Sequence, residues 1–351
     1  MELKDLVEIA SQKKATDVFL TSDAFPAIRT AGEVEIIDSL PKLSAEDCQQ
    51  AAYSIMSSDQ ISRFERGNNL DLSFTVPGVA NVRASAYRQR QSVALALRIM
   101  PLDVPSLEAL DMPPAVAEML KHREGLVLVT GPTGSGKSTT LAAMVREINH
   151  TRKCHIITVE DPIEYYYPNH NSVISQRQVG SDVDSFHDAL RFVLRQNPDV
   201  IMVGEMRDVE TVSVAMAAAE TGHLVLSSLH TASAPETLER LMGMFPPHEK
   251  AYVGIRLSAS LRGIVSQRLV NRAEGGVTAA TEIMVGNPSV SSLLAEGSSG
   301  AIHDAMEEGG FWGMRTMNQC LMQYLSSGII TQAEAEINSP NLSELKRMMR
   351  L

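Results

Sequence analysis

The sequence predicts an α/β protein: a small mixed α+β unit, then a parallel-sheet unit, then a helical C-terminal region. Three observations carry this. The chain has 351 residues, about two domains at ~150 residues each. Four short runs in its middle are β-branched-rich or fully apolar and are separated by helical stretches, the pattern of a parallel sheet covered on both faces. A glycine-rich turn joins the first of these runs to a stretch of good helix formers.

The elements follow in order. Leu3, Leu6, Val7 and Ala10 recur at helical spacing and predict a first helix. Two strand-like runs come next, Asp17–Thr21 and Ala27–Ile37, with Gly32 offering a turn inside the second. Ser44 with Asp47 forms a capping box that opens a helix toward Phe64. Leu70–Val76, Val82–Tyr87 and Val93–Met100 alternate apolar and polar residues and predict three strands, with Pro77-Gly78 as the first turn. Residues 1–100 therefore read as the first domain. Pro101, Pro105, Pro113 and Pro114 mark 101–115 as a linker and a candidate hinge. Gly125–Thr130, Cys154–Val159, Val200–Val203 and Leu224–Leu229 are the strands of a core over 116–287. Ser233, Pro235 and Glu236 make a well-formed helix start. Over 288–351 the pattern is short helices broken by Gly297, Gly300, Gly309 and Gly310.

Composition excludes several classes. At 44% hydrophobic and 21% charged the chain is globular in character. No apolar run approaches the ~18–20 residues of a membrane span. The opening MELKDLVEIA lacks the apolar block of a secretory signal. Cys48, Cys154 and Cys320 are odd in number and far apart, so they form neither a disulfide framework nor a CxxC metal site. A net charge of −11 argues against broad nucleic-acid binding.

Gly131-Pro132-Thr133-Gly134-Ser135-Gly136-Lys137-Ser138 matches the Walker A pattern, and Thr139 continues it into the following helix. Its glycines let backbone N–H groups turn around phosphate oxygens, and the helix start adds favourable dipole. Lys137 neutralises the β- and γ-phosphates and Ser138 ligates Mg²⁺ in this pattern. Two acids stand at the carboxyl ends of predicted strands, Glu160 and Glu205, where ligands gather in open α/β sheets. Gly204 occupies the usual aspartate position before Glu205, so magnesium there depends on Ser138, phosphate oxygens and waters held by Glu205. His223 and His230 bracket the run Leu224–Leu229, and His230 ends it on the nucleotide side. Arg83 and Arg98 alternate with apolar residues and project from the polar face of their strands, while Arg88 and Arg90 lie near a strand end. Phosphoryl transfer gains from such positive charge when it arrives with the transition state.

In this order the motifs resemble the secretion ATPase superfamily behind type II secretion and type IV pili, and most nearly its pilus retraction ATPases, the PilT/PilU family. The resemblance runs from Ala15-Thr16-Asp17-Val18-Phe19-Leu20-Thr21 through Gly313-Met314-Arg315-Thr316-Met317. It rests on Gly131–Thr140, Ile157–Tyr165, Gly204-Glu205-Met206-Arg207-Asp208 and Thr221–Thr231. It implies a PAS-like first domain joined to a RecA-like P-loop ATPase domain, assembled as a homohexameric ring that uses ATP and Mg²⁺. By motif, Glu160 is the general base, Glu205 helps to hold magnesium and water, His230 senses the γ-phosphate, and Arg83 and Arg98 reach the nucleotide; the third such arginine falls in Tyr87-Arg88-Gln89-Arg90-Gln91, one position earlier than the usual PilT pattern, and the PilU-like choice there is Arg90. The implied activity is ATP hydrolysis driving pilus retraction, the pilin disassembly behind twitching motility. The implied partners are an inner-membrane platform protein and a paralogous retraction ATPase, with no nucleic acid. The implied location is cytoplasmic, peripheral at the inner membrane. Two departures leave the PilT or PilU subtype open: Ser289-Val290-Ser291-Ser292-Leu293-Leu294 replaces the Ala-Ile-Arg-Asn-Leu-Ile motif usual in PilT, and the tail Ser339–Leu351 runs on in a PilU-like way. The longer assembly ATPases usually carry an extra N-terminal domain and a four-cysteine zinc site, neither of which is found here. A motor for pilin assembly or type II secretion is the alternative, and a DNA translocase a more distant one that the acidic charge disfavours.

Overall fold

A computed structural model describes residues 2–30, 32–100 and 102–350; Met1, Ala31, Pro101 of the proline-rich linker and Leu351 of the tail lie outside the described residues. The chain divides into two units. One holds the residues up to Val104 together with Pro162–Tyr166, and the other holds Pro105–Asp161 and Tyr167–Leu351.

In the first unit, α1 (Leu3–Gln12) turns Leu3, Leu6, Val7 and Ala10 inward, as the spacing requires. The strands are β1 (Asp17–Leu20), β2 (Ala27–Thr30), β3 (Glu33–Ile36), β4 (Asn69–Val76), β5 (Ala80–Gln89) and β6 (Ser92–Met100). They form one antiparallel sheet in the order β3-β2-β1-β6-β5-β4. The single helix expected from Ser44 toward Phe64 is two. α2 (Ala45–Ser54) starts at the Ser44–Asp47 capping box, and α3 (Ser58–Gly67) starts at a second box, Ser57 with Gln60. A second N-terminus so well satisfied ends the first helix, because each box supplies partners to otherwise orphaned amides. Phe64, Cys48, Ala52 and the inward residues of β5 and β6 close this core.

The second unit holds β7 (Gly125–Thr130), β8 (His155–Glu160), β9 (Val173–Gln178), β10 (Val200–Val203), β11 (Leu224–Leu229), β12 (Leu261–Asn271) and β13 (Val277–Val285). The sheet order is β13-β12-β7-β11-β10-β8-β9, parallel except for the antiparallel β12–β13 hairpin. The four expected strands are at its centre; β9, β12 and β13 were not expected. Successive residues of β7 enter opposite cores. Val127 and Val129 pack with α4 (Pro114–Met119) and α5 (Lys137–Thr151). Leu126 and Leu128 face a second core that takes in α6 (Phe186–Val193), α7 (Val209–Glu220), α8 (Ala234–Gly243) and α9 (Lys250–Ser260). Burial on both faces is why these strands are uniformly apolar.

The remaining helices are short: α10 (Pro288–Ala295), α11 (Ile302–Glu308), α12 (Met317–Ser326), α13 (Gln332–Asn338) and α14 (Leu342–Met348). The last three pack Leu321, Tyr324, Ala335 and Leu345 with Val270 and Ala280 of the hairpin. Among the described residues no helix is long and apolar enough to cross a membrane.

Candidate active site

Parallel strands in register deliver the site. Thr130 of β7 pairs with Leu229 of β11, Ser227 of β11 with Val203 of β10, and Val203 with Val159 of β8. The residues that follow each strand therefore emerge along one edge, in the order phosphate loop, His230, Glu205, Glu160. About 14 Å separate β7 from β8 at ~4.8 Å per strand.

β7 runs directly into the loop 131–136, and α5 begins at Lys137. Gly131 has φ +148° and Gly136 has φ +87°. A Cβ on Gly131 would lie 2.3 Å from the Gln267 carbonyl oxygen and 2.5 Å from Ser135 Oγ, so no side chain fits. Gly136, in the left-handed region, is the N-cap of α5 and brings no side chain to the helix start, whose first turn holds Lys137, Ser138 and Thr139. The loop is braced from β12: Gln267 Nε2 donates to the Ser135 carbonyl at 2.5 Å, and Thr130 Oγ1 donates to Ser266 Oγ at 2.9 Å. Pro132, Thr133 and Gly134 form its exposed rim.

Lys137 Nζ donates to the carbonyls of Gly131 at 2.8 Å and Pro132 at 2.9 Å, and meets His230 Nδ1 at 3.5 Å. A lysine ammonium only donates, so Nδ1 accepts and the ring proton sits on Nε2. That nitrogen faces Glu205 Oε2 at 3.5 Å, and Arg207 approaches Glu205 Oε1 at 2.5 Å. The Glu205 loop is held on both sides. Gly204 N donates to the Val159 carbonyl, Met206 N to the Ser228 carbonyl, and Ser228 Oγ to the Gly204 carbonyl. Asp208 caps α7 through Thr211 N.

The strand expected over Cys154–Val159 is shifted by one residue, so Glu160 is the last residue of β8 rather than the first beyond it. It is only 7% exposed. Thr158 Oγ1 donates to Glu160 Oε1 at 2.7 Å and Gln176 Nε2 donates to the same oxygen at 3.3 Å.

Glu282 of β13 supports the site from behind and is 3% exposed. Its carboxylate accepts from Ala234 N, at the start of α8, at 2.7 Å and from the backbone of Met317, at the start of α12. Burial pushes this carboxyl above its ordinary range. α8 begins four residues after His230, so Glu282 fixes the exit of the histidine loop.

Not every candidate joins this edge. His223 sits at the opposite end of β11 from His230, with Nδ1 at the Ala218 carbonyl, a structural contact. Within the first unit, Arg83 and Arg98 are direct cross-strand partners. Arg98 Nε reaches Asp17 Oδ1 at 3.3 Å and remains largely exposed. Arg88 is committed to structure: it bonds both oxygens of Glu65 and lies over the Phe64 ring. Arg90 stands at the exposed tip of the β5–β6 hairpin, where Arg90 and Gln91 both take positive φ. Gln267, Gln176, Thr158 and Glu282 escaped sequence reasoning. For Gln267 and Glu282 the available signal was the Gly275-Gly276 turn, the mark of a hairpin between the two stretches that carry them.

The family model of the type II/IV secretion system proteins matches residues 3–335. The type IV pilus retraction ATPase PilT of Pseudomonas aeruginosa is 42% identical over 335 residues, covering 95% of this chain and 97% of that protein. The type IV pilus ATPase PilU of the same organism is 36% identical over 352 residues, covering 100% and 92%. A crystal structure of the pilus retraction motor PilT with bound ADP superposes with a TM-score of 0.94 at 43% identity, covering 99% of this chain and all of that one.

Proposed function

We propose, since the chain belongs to the type II/IV secretion system protein family, that it is a Mg²⁺-dependent ATPase motor of type IV pilus retraction, working as a hexameric ring at the cytoplasmic face of the inner membrane. One observation carries the reading: the phosphate loop, His230, Glu205 and Glu160 share one edge of a single parallel sheet. The chain is a P-loop ATPase. The loop amides and Lys137 hold the phosphates of ATP, Glu160 takes the proton from the attacking water, and His230 links the γ-phosphate position to Glu205. Arg83, Arg90 and Arg98 supply positive charge to the transition state.

Among the described residues no group of three or more His, Cys, Asp or Glu could enclose a metal. The donors nevertheless fit Mg²⁺, which takes most of its ligands from phosphate and water. Ser138 lies next to Lys137 in the first turn of α5, and Glu205 offers a carboxylate to a metal-bound water. When bound, the ion screens phosphate charge. The partners in this reading are an inner-membrane platform protein and a paralogous retraction ATPase.

The test has two parts. Glu160→Gln should keep ATP binding and lose phosphate release; survival of turnover there together with its loss in Glu205→Gln would exchange the two roles. Deleting the gene should leave surface pili abundant while abolishing twitching. Bald cells would instead make this an assembly motor.

A further inference from the structure

We propose that Gln176 is a positioning residue that holds the Glu160 carboxylate in its working orientation. This rests on Glu160 serving as the general base. Thr158 and Gln176 are register partners on the parallel pair β8–β9, and Glu160 lies two residues beyond Thr158, so all three side chains share one face. Both donors converge on Oε1, from Thr158 at 2.7 Å and Gln176 at 3.3 Å.

The glutamine amide has its own orientation set. Its Oε1 accepts from Tyr167 N at 3.0 Å, which turns Nε2 toward the carboxylate. Two donors on one oxygen oppose rotation of the carboxyl group and favour its charged form. A general base must meet its water within hydrogen-bond reach, so a fixed carboxylate plane raises the fraction of productive encounters.

The contact also has a topological role. The chain leaves this unit after Asp161, contributes Pro162–Tyr166 to the other unit, and returns at Tyr167. Gln176 thus ties together the two ends of that excursion, Glu160 on one side and Tyr167 on the other. The charged groups on the flanking elements are Arg177 within β9 on the opposite face, Asp182 after β9, Glu205 beyond β10 and Asp161 next in the chain.

The experiment compares Gln176→Glu and Gln176→Ala with wild type, following phosphate release against pH, with fluorescent ADP binding as the check that each variant is folded. Gln176→Glu sets a carboxylate against Glu160, so the acid limb of kcat should move up by about one pH unit or more. Gln176→Ala should lower kcat about tenfold with a smaller upward move of the limb, and KM for ATP should stay within about twofold in both. Unchanged limbs, or a loss of kcat equal at every pH, would overturn the proposal and leave Gln176 a structural residue. Glu160→Gln is run in parallel. If it still turns over, the base assignment falls and this inference with it; if it is dead while the Gln176→Glu limb stays in place, only the inference falls.

Discussion

Replacing Gln267 measures how much of nucleotide affinity is built by β12 rather than by the phosphate loop itself. The residue is 1% exposed, and the Ser135 carbonyl it serves belongs to a residue 3% exposed, so water does not substitute for the lost donor. Gln267→Met keeps the volume and strands that carbonyl, at about 1–3 kcal/mol. The amide Oε1 is buried without a hydrogen-bond partner, so its removal costs nothing. Gln267→Ala adds a cavity beside Gly136, where a Cβ would lie 3.1 Å from the amide nitrogen, and roughly 1–2 kcal/mol more. Bound phosphate re-imposes the loop conformation, so this cost is drawn from binding. At 1–3 kcal/mol the Kd for ADP rises about 5- to 150-fold in the methionine variant, and further in the alanine variant. Fluorescence titration with a labelled ADP reads the change, with Lys137→Ala as the non-binding reference. Affinities within twofold of wild type for both variants would refute the bracing argument.

Other expectations are independent of that one. Arg98→Ala removes an exposed contact to Asp17 and relieves the cross-strand arginine pair, so the unfolding free energy should change by no more than about 1 kcal/mol while turnover falls more than tenfold; undiminished turnover would take Arg98 out of the chemistry. Burial raises Glu282 above the 4.5 of an unfolded glutamate, so its contribution to stability is present in full below that pH and is lost as pH climbs through the folded value. Urea denaturation of wild type and Glu282→Gln across that window should show wild type losing ground to the variant with rising pH; parallel curves would deny the shift. Cys48 is fully buried, its thiol pushed up to about 11, and Cys320 is also buried, so native protein should offer a thiol reagent one slow site, Cys154; a Cys154→Ser variant that still reacts would contradict this.

The legible parts of the molecule were those where physics leaves little choice of residue. A loop that folds its amides around phosphate needs glycine where a Cβ would strike Gln267, and the sequence displays it at Gly131. Strands buried on both faces must be apolar throughout, so β7, β8, β10 and β11 stood out. β9 did not, because an edge strand carrying Gln176, Arg177 and Gln178 has the composition of a loop. β12 was obscured by Gly263 at its register shift and by the polar trio Ser266-Gln267-Arg268, whose partners lie far away in sequence. Apart from Thr158 on β8, the residues that brace the site sit on those two strands and on β13. They were missed because a buried glutamine or glutamate announces its task only once its partner's position is known. The helix toward Phe64 divides for a simpler reason: a second capping box, at Ser57 and Gln60, starts a new helix inside the expected span.

The carboxylate of Glu282 has a consequence for how such proteins can be recombined. It joins the first turn of α8 to the first turn of α12. A chimera that exchanges residues 288–351 with a relative therefore carries the donating amide at Met317 but leaves the acceptor behind on β13. Unless the graft begins before Val277, the transplanted tail arrives without its anchor, and the helix that follows the histidine loop shares the loss.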